Sequence, residues 1–259
     1  MEIKDKIIVV TGAGSGIGKA LVEKFIAEGA KTVVGVDINV DTAQKTAAEL
    51  GCVAMSADVA KEDDVRRVIE DTENTIGPID LFCSNAGVAA GASEQSANVE
   101  WELCWDVNVM SHVYAARYLV PRMLERGHGY FLNTASAAGL LNQIGGAAYG
   151  VTKHAAVGFS EWLALTYAHQ GIKVSLLCPQ AVRTAMTADA DDQGTKAASG
   201  DGMMEPAQLA DIVVEHLRRE DFLILTHEEV KTYMQRKTAD YNRWISGMNR
   251  LFQKLSGAA

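Results

Sequence analysis

The sequence is poor in cysteine, in long apolar runs and in basic residues, and each shortage excludes a class of protein. Its four cysteines are scattered along 259 residues without a Cys-x-x-Cys pair, so they are interpreted as reduced, buried thiols and no metal site is expected. The N-terminal stretch MEIKDKIIVVTG carries charges before a short apolar run, which is unlike a secretory signal, and no run approaches a membrane span. We therefore expect a cytoplasmic protein.

Acidic residues outnumber basic ones, 33 to 24, which gives a net charge of −9. Nucleic acids and anionic membrane surfaces select basic proteins, so neither is expected as a partner. Hydrophobic residues make up 48% of the chain and charged residues 22%, which is the composition of a globular protein able to bury a full core.

Short β-branched runs alternate with longer helical patterns from KIIVVTG to DFLILT. Such apolar strands separated by helices predict an α/β fold, a doubly wound (Rossmann) parallel sheet with helices on both faces. No linker interrupts the pattern, so residues 1–259 are interpreted as a single dinucleotide-binding and catalytic domain. Two additions are expected: a polar segment at about 184–204, interpreted as a substrate lid or a mobile surface loop, and a C-terminal helical extension at about 227–256.

The stretch VVTGAGSGIGKA places Gly12, Gly16 and Gly18 between the first strand and the first helix. Glycines there allow a sharp turn and let a pyrophosphate approach the helix N-terminus, where free N–H groups favour an anion. This context predicts a dinucleotide-binding loop.

Asp37 ends the second strand, in VVGVDIN. A carboxylate at that place binds the adenosine ribose hydroxyls and repels a 2′-phosphate. No basic residue follows at Ile38 or Asn39, and Ser15 inside the glycine loop is not basic either. The predicted cofactor is therefore NAD and not NADP.

Several motifs then follow in a fixed order. Thr-Gly-x-x-x-Gly-x-Gly spans 11–18, and Tyr149 and Lys153 form a Tyr-x-x-x-Lys pair thirteen residues after Ser136. By these motifs the chain resembles the short-chain dehydrogenases/reductases, in their compact form, over residues 5–226. The other matching positions are Asp58-Val59, Asn85-Ala86-Gly87 and Asn108.

The resemblance implies a role for each matched residue. Asn108, Ser136, Tyr149 and Lys153 are implied as the catalytic set, with the backbone of Asn108 holding a water that relays protons from Lys153. Asp58 and Val59 are expected to face the adenine. The full set of expected cofactor contacts is Gly12, Ser15, Gly16, Ile17, Gly18, Asp37, Asp58, Val59, Asn85, Ala86, Gly87, Tyr149, Lys153, Pro179, Gln180, Val182 and Thr184.

Tyr149 and Lys153 lie one helical turn apart and so share a helix face. The reference pKa of tyrosine, about 10, is too high for efficient base catalysis near neutrality. A lysine ammonium about 4 Å away lowers that pKa by about three units at most. Tyr149 is therefore expected to act as the acid/base, Lys153 to lower its pKa, and Ser136 to orient the substrate oxygen.

One position departs from the family pattern. After the sixth strand the family has Pro-Gly, whereas this chain reads CPQAVRT, with Gln180 in place of the glycine and Thr184 retained. The glutamine side chain is expected to project into or along the substrate pocket. The expected substrate contacts are Ser136, Ala138, Ile144, Tyr149, Gln180 and Met186, with Val88, Ala89, Leu140, Leu141, Ala181 and Met203 nearby.

Those pocket residues are largely apolar, and Arg183 is the one ambiguous clamp for an anion. The interpretation is an NAD-dependent oxidoreductase that interconverts a secondary alcohol and a ketone on a neutral apolar substrate (bulky, aromatic or alicyclic). The alternatives are a 3-hydroxyacyl/3-oxoacyl thioester dehydrogenase/reductase and a non-catalytic cofactor-binding protein. From the family, a homodimer or homotetramer is expected.

Overall fold

A computed structural model describes residues 1–189 and 192–257 of the chain. Seven parallel strands form one sheet in the order β3-β2-β1-β4-β5-β6-β7, which confirms the predicted doubly wound sheet. The strands are β1 (Ile7–Thr11), β2 (Thr32–Asp37), β3 (Val53–Ser56), β4 (Leu81–Ser84), β5 (Gly129–Thr134), β6 (Ile172–Cys178) and β7 (Leu223–Leu225).

Helices cover both faces of the sheet. The helices are α1 (Gly16–Ala27), α2 (Val40–Leu50), α3 (Glu62–Thr75), α4 (Asn98–Trp105), α5 (Ser111–Arg126), α6 (Ala138–Leu141), α7 (Ala147–Tyr167), α8 (Gln193–Ala198), α9 (Pro206–Arg219), α10 (Glu229–Ala239) and α11 (Tyr241–Ser256). One core cluster joins α1 and α9 to the sheet, and a second joins α3, α5 and α7 to the opposite face. The strands are buried on both sides, which explains their continuous apolar sequences.

Local signals fix where the helices begin and end. Asn39 caps α2, since its side-chain oxygen accepts hydrogen bonds from the backbone N–H groups of Asp41 and Thr42. The same helix ends at Gly51, which adopts a left-handed conformation with φ +77°. α2 thus follows β2 after two residues, and Asp37 comes to lie beside the glycine loop.

The chain order reverses between β1 and β4, because β1 pairs with β2 on one side and β4 on the other. In doubly wound sheets a crevice opens at such a point, outside the carboxyl ends of the strands. The glycine loop follows β1, Asn85 follows β4 and Ser136 follows β5. These three motifs therefore lie at one edge of the sheet.

The segment interpreted as a lid is more regular than its sequence indicates. It contains a short 3₁₀ turn at Ala185–Thr187, the helix α8 and a second 3₁₀ turn at Ser199–Asp201, while residues 190–191 lie outside the described part. Beyond β7 the expected helical extension is present as α10 and α11. Among the described residues, no helix is both long enough and apolar enough to cross a membrane.

Candidate active site

A cleft of about 950 Å³ runs along the carboxyl edge of the sheet. Its volume lies in the range of small-molecule and cofactor sites. Every residue expected from the sequence to contact the cofactor lines this cleft. These are Gly12, Ser15, Gly16, Ile17, Gly18, Asp37, Asp58, Val59, Asn85, Ala86, Gly87, Tyr149, Lys153, Pro179, Gln180, Val182 and Thr184.

The glycine loop has the shape that a pyrophosphate requires. Gly12 and Gly16 have φ angles of +67° and +52°, in the region that side chains with a Cβ disfavour. A Cβ at Gly18 collides with the carbonyl oxygen of Gly12. The loop can therefore bring backbone N–H groups and the N-terminus of α1 close to an anion, and the cradle fits a dinucleotide.

Asp37 is held at the adenosine end of the cleft by backbone donors. The N–H of Gly14 donates to its Oδ2 at 2.8 Å, and the N–H of Asn39 donates to its Oδ1 at 3.0 Å. Among the described residues, Lys153 is the one lysine or arginine that lines the cleft. A 2′-phosphate beside Asp37 would therefore meet a carboxylate and no cation.

Thr11 organises the turn after β4, a role that sequence analysis missed. Its Oγ1 accepts hydrogen bonds from the N–H groups of Asn85 (2.9 Å) and Ala86 (3.0 Å) and donates to the carbonyl oxygen of Cys83. Asn85 in turn donates from Nδ2 to the Thr11 carbonyl oxygen at 3.0 Å. The threonine of the first motif thus fixes the backbone of Asn85-Ala86-Gly87 against β1.

Ser136 and Tyr149 meet at the floor of the cleft. Ser136 is positioned by the N–H of Ala138, which donates to its Oγ at 3.1 Å. Burial raises the pKa of the Tyr149 hydroxyl, and a hydrogen bond with Ser136 opposes that rise. Burial is the largest of these effects, so the pKa of Tyr149 lies above its ordinary value in this arrangement. The lowering expected from Lys153 stays a prediction.

Lys153 is 2% exposed and points into the same floor. Its Nζ donates to the carbonyl oxygen of Thr134 at 3.0 Å and lies 5.7 Å from the centre of the Tyr149 ring. Burial lowers the pKa of Lys153 to about 8, so the ammonium is still the main form at neutral pH. A positive charge therefore stands beside the tyrosine.

Asn108 lies in a π-helical segment, Asp106–Met110, between α4 and α5. The side chain is fully buried and does not line the cleft. Its Oδ1 accepts from the N–H of Val88 at 3.0 Å, and its Nδ2 donates to the Val88 carbonyl oxygen and to Thr152 Oγ1. Asn108 thus ties the loop after β4 to the helix that carries Tyr149, and π-bulges are frequent at functional sites.

The Gln180 side chain lines the cleft, and its amide contacts the segment formed by residues 192–204. Its Nε2 donates to the carbonyl oxygen of Ala198 at 2.9 Å and to Oδ2 of Asp201 at 2.8 Å. The hydroxyl of Tyr233 donates to the other oxygen of Asp201 at 2.9 Å. The glutamine therefore lines the cleft while its amide fastens the 192–204 segment, and Tyr233 fastens that segment to α10.

The substrate end of the cleft differs in part from the expected pocket. Ser136, Tyr149, Gln180, Met186, Val88 and Ala89 line it. Ala138, at the start of α6, and Ile144, three residues after its end, are buried and lie outside the cleft. Leu140, Leu141, Ala181 and Met203 also lie outside it. Residues that the sequence did not indicate include Glu100, Leu103, Gln143, Asp189, Asp192 and Thr195.

Acidic side chains replace the possible cationic clamp. Arg183 is absent from the cleft lining and forms an ion pair with Glu205, Nε to Oε1, at 2.6 Å. Glu100, Asp189 and Asp192 line the substrate end instead. Among the described residues, no group of three His, Cys, Asp or Glu side chains could hold a metal ion.

Comparisons with known proteins agree with this geometry. The family model for short chain dehydrogenase matches residues 6–194, and the chain belongs to that family of oxidoreductases. It is 33% identical over 258 residues to 1-deoxy-11-beta-hydroxypentalenate dehydrogenase of Streptomyces exfoliatus, covering 95% of this chain and 92% of the relative. It is 32% identical to the cyclohexanol dehydrogenase of an Acinetobacter species, covering 74% and 78%.

A solved structure is also similar. The crystal structure of a short chain dehydrogenase/reductase from Burkholderia phymatum in complex with NAD superposes with a TM-score of 0.86 at 27% identity, covering 93% of this chain and 96% of that one. Relatives of this chain thus include enzymes that oxidise secondary alcohols, and the fold is one that binds a nicotinamide dinucleotide.

Proposed function

We propose that the protein is an NAD-dependent oxidoreductase that interconverts a neutral secondary alcohol and its ketone. The observation that carries the proposal is the convergence of Ser136, Tyr149 and Lys153 at the floor of a cleft that also contains a glycine cradle and Asp37. A base, a positive charge beside it and a hydroxyl donor are the groups that proton removal from a carbinol requires.

The residues present fit a nicotinamide dinucleotide. The glycine loop and the N-terminus of α1 are suited to its pyrophosphate, and Asp37 to the hydroxyls of its adenosine ribose. Lys153, Pro179, Gln180 and Val182 line the opposite end of the cleft, where the nicotinamide half belongs. When bound, the cofactor supplies the hydride acceptor or donor for the reacting carbon.

Tyr149 moves the proton. Its hydroxyl takes the proton of the substrate alcohol during oxidation and returns it during reduction, while Ser136 donates a hydrogen bond to the substrate oxygen. Burial raises the pKa of Tyr149. Ionisation of its hydroxyl near neutrality therefore depends on the positive charge of Lys153 and on that of the oxidised nicotinamide ring when the cofactor is bound. The burial of Lys153 strengthens its attraction for a tyrosinate, because the local dielectric is low.

The lining of the substrate end supports a neutral substrate. Val88, Ala89, Leu103 and Met186 supply apolar surface, and Glu100 supplies a carboxylate that disfavours an anionic substrate in the cleft. Relatives named for cyclohexanol and for a hydroxypentalenate support an alicyclic alcohol as the first substrate class to assay.

A matched assay tests the proposal. NADH formation is measured with cyclic and open-chain secondary alcohols, with NAD or NADP, and with a 3-hydroxyacyl thioester. We expect turnover of cyclic alcohols with NAD, a loss of about 10²–10⁴ in kcat for Tyr149→Phe, and NADH binding by that variant within a few-fold of the original protein. Tyr130→Phe is the control, since Tyr130 is a buried tyrosine hydrogen-bonded to Ser175 away from the cleft. Turnover by Tyr149→Phe above about a tenth of the original rate contradicts the assignment.

A further inference from the structure

A second concavity lies between the two C-terminal helices, apart from the cleft. This groove has a volume of about 500 Å³ and shares no lining residue with the cleft. We call it the α10–α11 groove. Its lining consists of Arg236, Ala239, Asp240, Arg243, Trp244, Gly247, Met248 and Arg250.

Three arginines converge on this groove without a carboxylate partner. The chain has eleven arginines, and eight of them form ion pairs with Asp or Glu within 4 Å. Among the described residues, Arg236, Arg243 and Arg250 are the arginines that form none. The protein has a net charge of −9, so these three arginines give the groove a local positive charge on a protein that is negative as a whole.

Arg243 and Arg250 of α11 lie seven residues apart, and both line the α10–α11 groove. Arg243, Gly247 and Arg250 stand at i, i+4 and i+7 and therefore share a helix face. Gly247 leaves space between them, because a Cβ built there meets only a guanidinium nitrogen of Arg250 at 3.9 Å. Asp240 also lines the groove, but its Oδ1 accepts from the backbone N–H of Arg243 as the cap of α11.

An aromatic and apolar wall completes the groove. Trp244 and Met248 lie one turn apart on α11, and the Trp244 ring is 6.5 Å from that of Tyr233. The Arg236 guanidinium lies 5.9 Å from the Tyr233 ring centre, which holds it at the rim. α11 has no buried residue, so this wall is accessible to a ligand.

We propose that the α10–α11 groove binds a phosphorylated small molecule. Guanidinium groups match phosphate oxygens in geometry and charge, and three of them give a site for two neighbouring phosphates. A planar ring attached to those phosphates can stack on Trp244. A nucleoside diphosphate has both parts, and the volume of the groove suits a molecule of that size better than a protein helix.

The groove is separate from the dinucleotide cleft, but the helices that form it pack against elements near the cleft. α11 packs against α8 in the 192–204 segment, and α10 packs against α6. The Nζ of Lys237 donates to the Leu140 carbonyl oxygen at 2.7 Å, between α10 and α6. Occupation of the groove is therefore expected to stabilise α10 and α11 and to raise the melting temperature of the protein.

Calorimetric titration tests the proposal on the full chain. ADP, pyrophosphate and adenosine are each added to protein saturated with NADH, so that the dinucleotide cleft is already filled. We expect ADP to bind with a dissociation constant below about 1 mM and adenosine to bind much more weakly. Affinity for ADP above that for pyrophosphate identifies a nucleotide as the ligand, and equal affinities support the phosphate groups as the part recognised.

Two charge-matched variants separate the groove from general electrostatics. Arg243→Gln with Arg250→Gln is expected to weaken ADP binding at least about tenfold. Arg66→Gln with Arg67→Gln removes the same charge from α3, where both arginines are ion-paired, and is expected to leave ADP binding unchanged. No ADP binding by the original protein, or equal weakening in both variants, overturns the proposal. So does a changed oligomeric state of the groove variant without ADP binding, which instead identifies an interface between copies.

Discussion

The N–H of Gly14 donates a 2.8 Å hydrogen bond to Oδ2 of Asp37, and this bond joins the glycine loop to the end of β2. A Cβ at Gly14 would meet the side chains of Asp37 and Thr42, so the loop leaves no room for a larger residue there. One carboxylate thus shapes the loop and also faces the place where an adenosine ribose is expected. Cofactor choice and loop conformation are therefore coupled through Asp37.

Asp37→Ser is expected to weaken NAD binding and to reduce the discrimination against NADP. The substitution removes the carboxylate that accepts hydrogen bonds from the ribose hydroxyls, so kcat/KM for NAD should fall roughly 10–100-fold, a loss typical of a charge-assisted contact. It also removes the negative charge that repels the 2′-phosphate of NADP. The measurement is kcat/KM with each cofactor. Asp41→Ser is the control, since Asp41 is an exposed carboxylate in the first turn of α2 and should leave the ratio unchanged. Equal kcat/KM for the two cofactors in the original protein contradicts the NAD assignment.

Gly18→Ala is expected to disrupt the cradle. Its Cβ collides with the carbonyl oxygen of Gly12, so α1 must shift away from β1, and NADH affinity should fall more than about tenfold. Gly158→Ala is the matched control, because a Cβ at that exposed position of α7 meets nothing within 4 Å. That control should gain up to about 1 kcal/mol in free energy of unfolding. The measurements are NADH fluorescence titration and urea unfolding, and unchanged NADH affinity in Gly18→Ala would refute the cradle.

Lys153→Met is expected to abolish activity but to stabilise the fold at pH 7. Burial lowers the pKa of Lys153 from 10.5 to about 8, so the folded state bears the cost of a buried ammonium at pH values below 8. That cost corresponds to roughly 1–3 kcal/mol after allowance for the lost hydrogen bond to Thr134.

The pH dependence distinguishes this cost from a packing effect. Between about pH 8 and 10.5 the unfolded chain binds more protons at this site than the folded one, so the lysine form gains stability as pH rises. The advantage of Lys153→Met in urea unfolding without cofactor should therefore shrink over that interval. An advantage that stays constant with pH, or a loss of stability at pH 7, would show that the ammonium is not costly.

Asp201→Ala is expected to loosen the 192–204 segment. The Asp201 carboxylate accepts from both Gln180 and Tyr233. Its removal breaks the hydrogen bond to α10 and leaves Gln180 bound to the segment through the Ala198 carbonyl oxygen. Limited proteolysis should cut the 184–204 segment several times faster than in the original protein. Tyr233→Phe should give a smaller increase, and Tyr241→Phe, on an exposed tyrosine of α11, none. If the segment is a lid, NADH with a bulky ketone should suppress cleavage; equal cleavage with and without them would leave a surface loop.

The cofactor half of the site could be predicted from sequence because its determinants are local. The conformation of Gly12 and Gly16 and the place of Asp37 at the end of β2 each depend on a few neighbouring residues. The substrate half depends on contacts between distant segments. Gln180 is directed by Ala198 and Asp201, about twenty residues further on, and no spacing rule indicates that pairing.

Burial also limits what the sequence predicts for Tyr149 and Lys153. The spacing of Tyr149 and Lys153 correctly indicated one helix face, yet the pKa of Tyr149 is raised and that of Lys153 lowered by the surrounding protein. Desolvation depends on the packing around the cleft floor, to which Cys104 of α4 and Cys178 of β6 contribute beside α7. Desolvation has no signature in the five residues from Tyr149 to Lys153.

The strand order places the residue proposed to select the cofactor far from the residue proposed to bind the substrate. Asp37 ends β2 and Ser136 follows β5, with β1 and β4 between them. Three strand spacings, about 14 Å, therefore separate the carboxylate proposed to select the cofactor from the hydroxyl proposed to bind the substrate oxygen. Substitutions that far apart combine additively to within about 0.5 kcal/mol. A lineage built on this sheet can therefore exchange its alcohol while keeping its coenzyme, or the reverse, one substitution at a time.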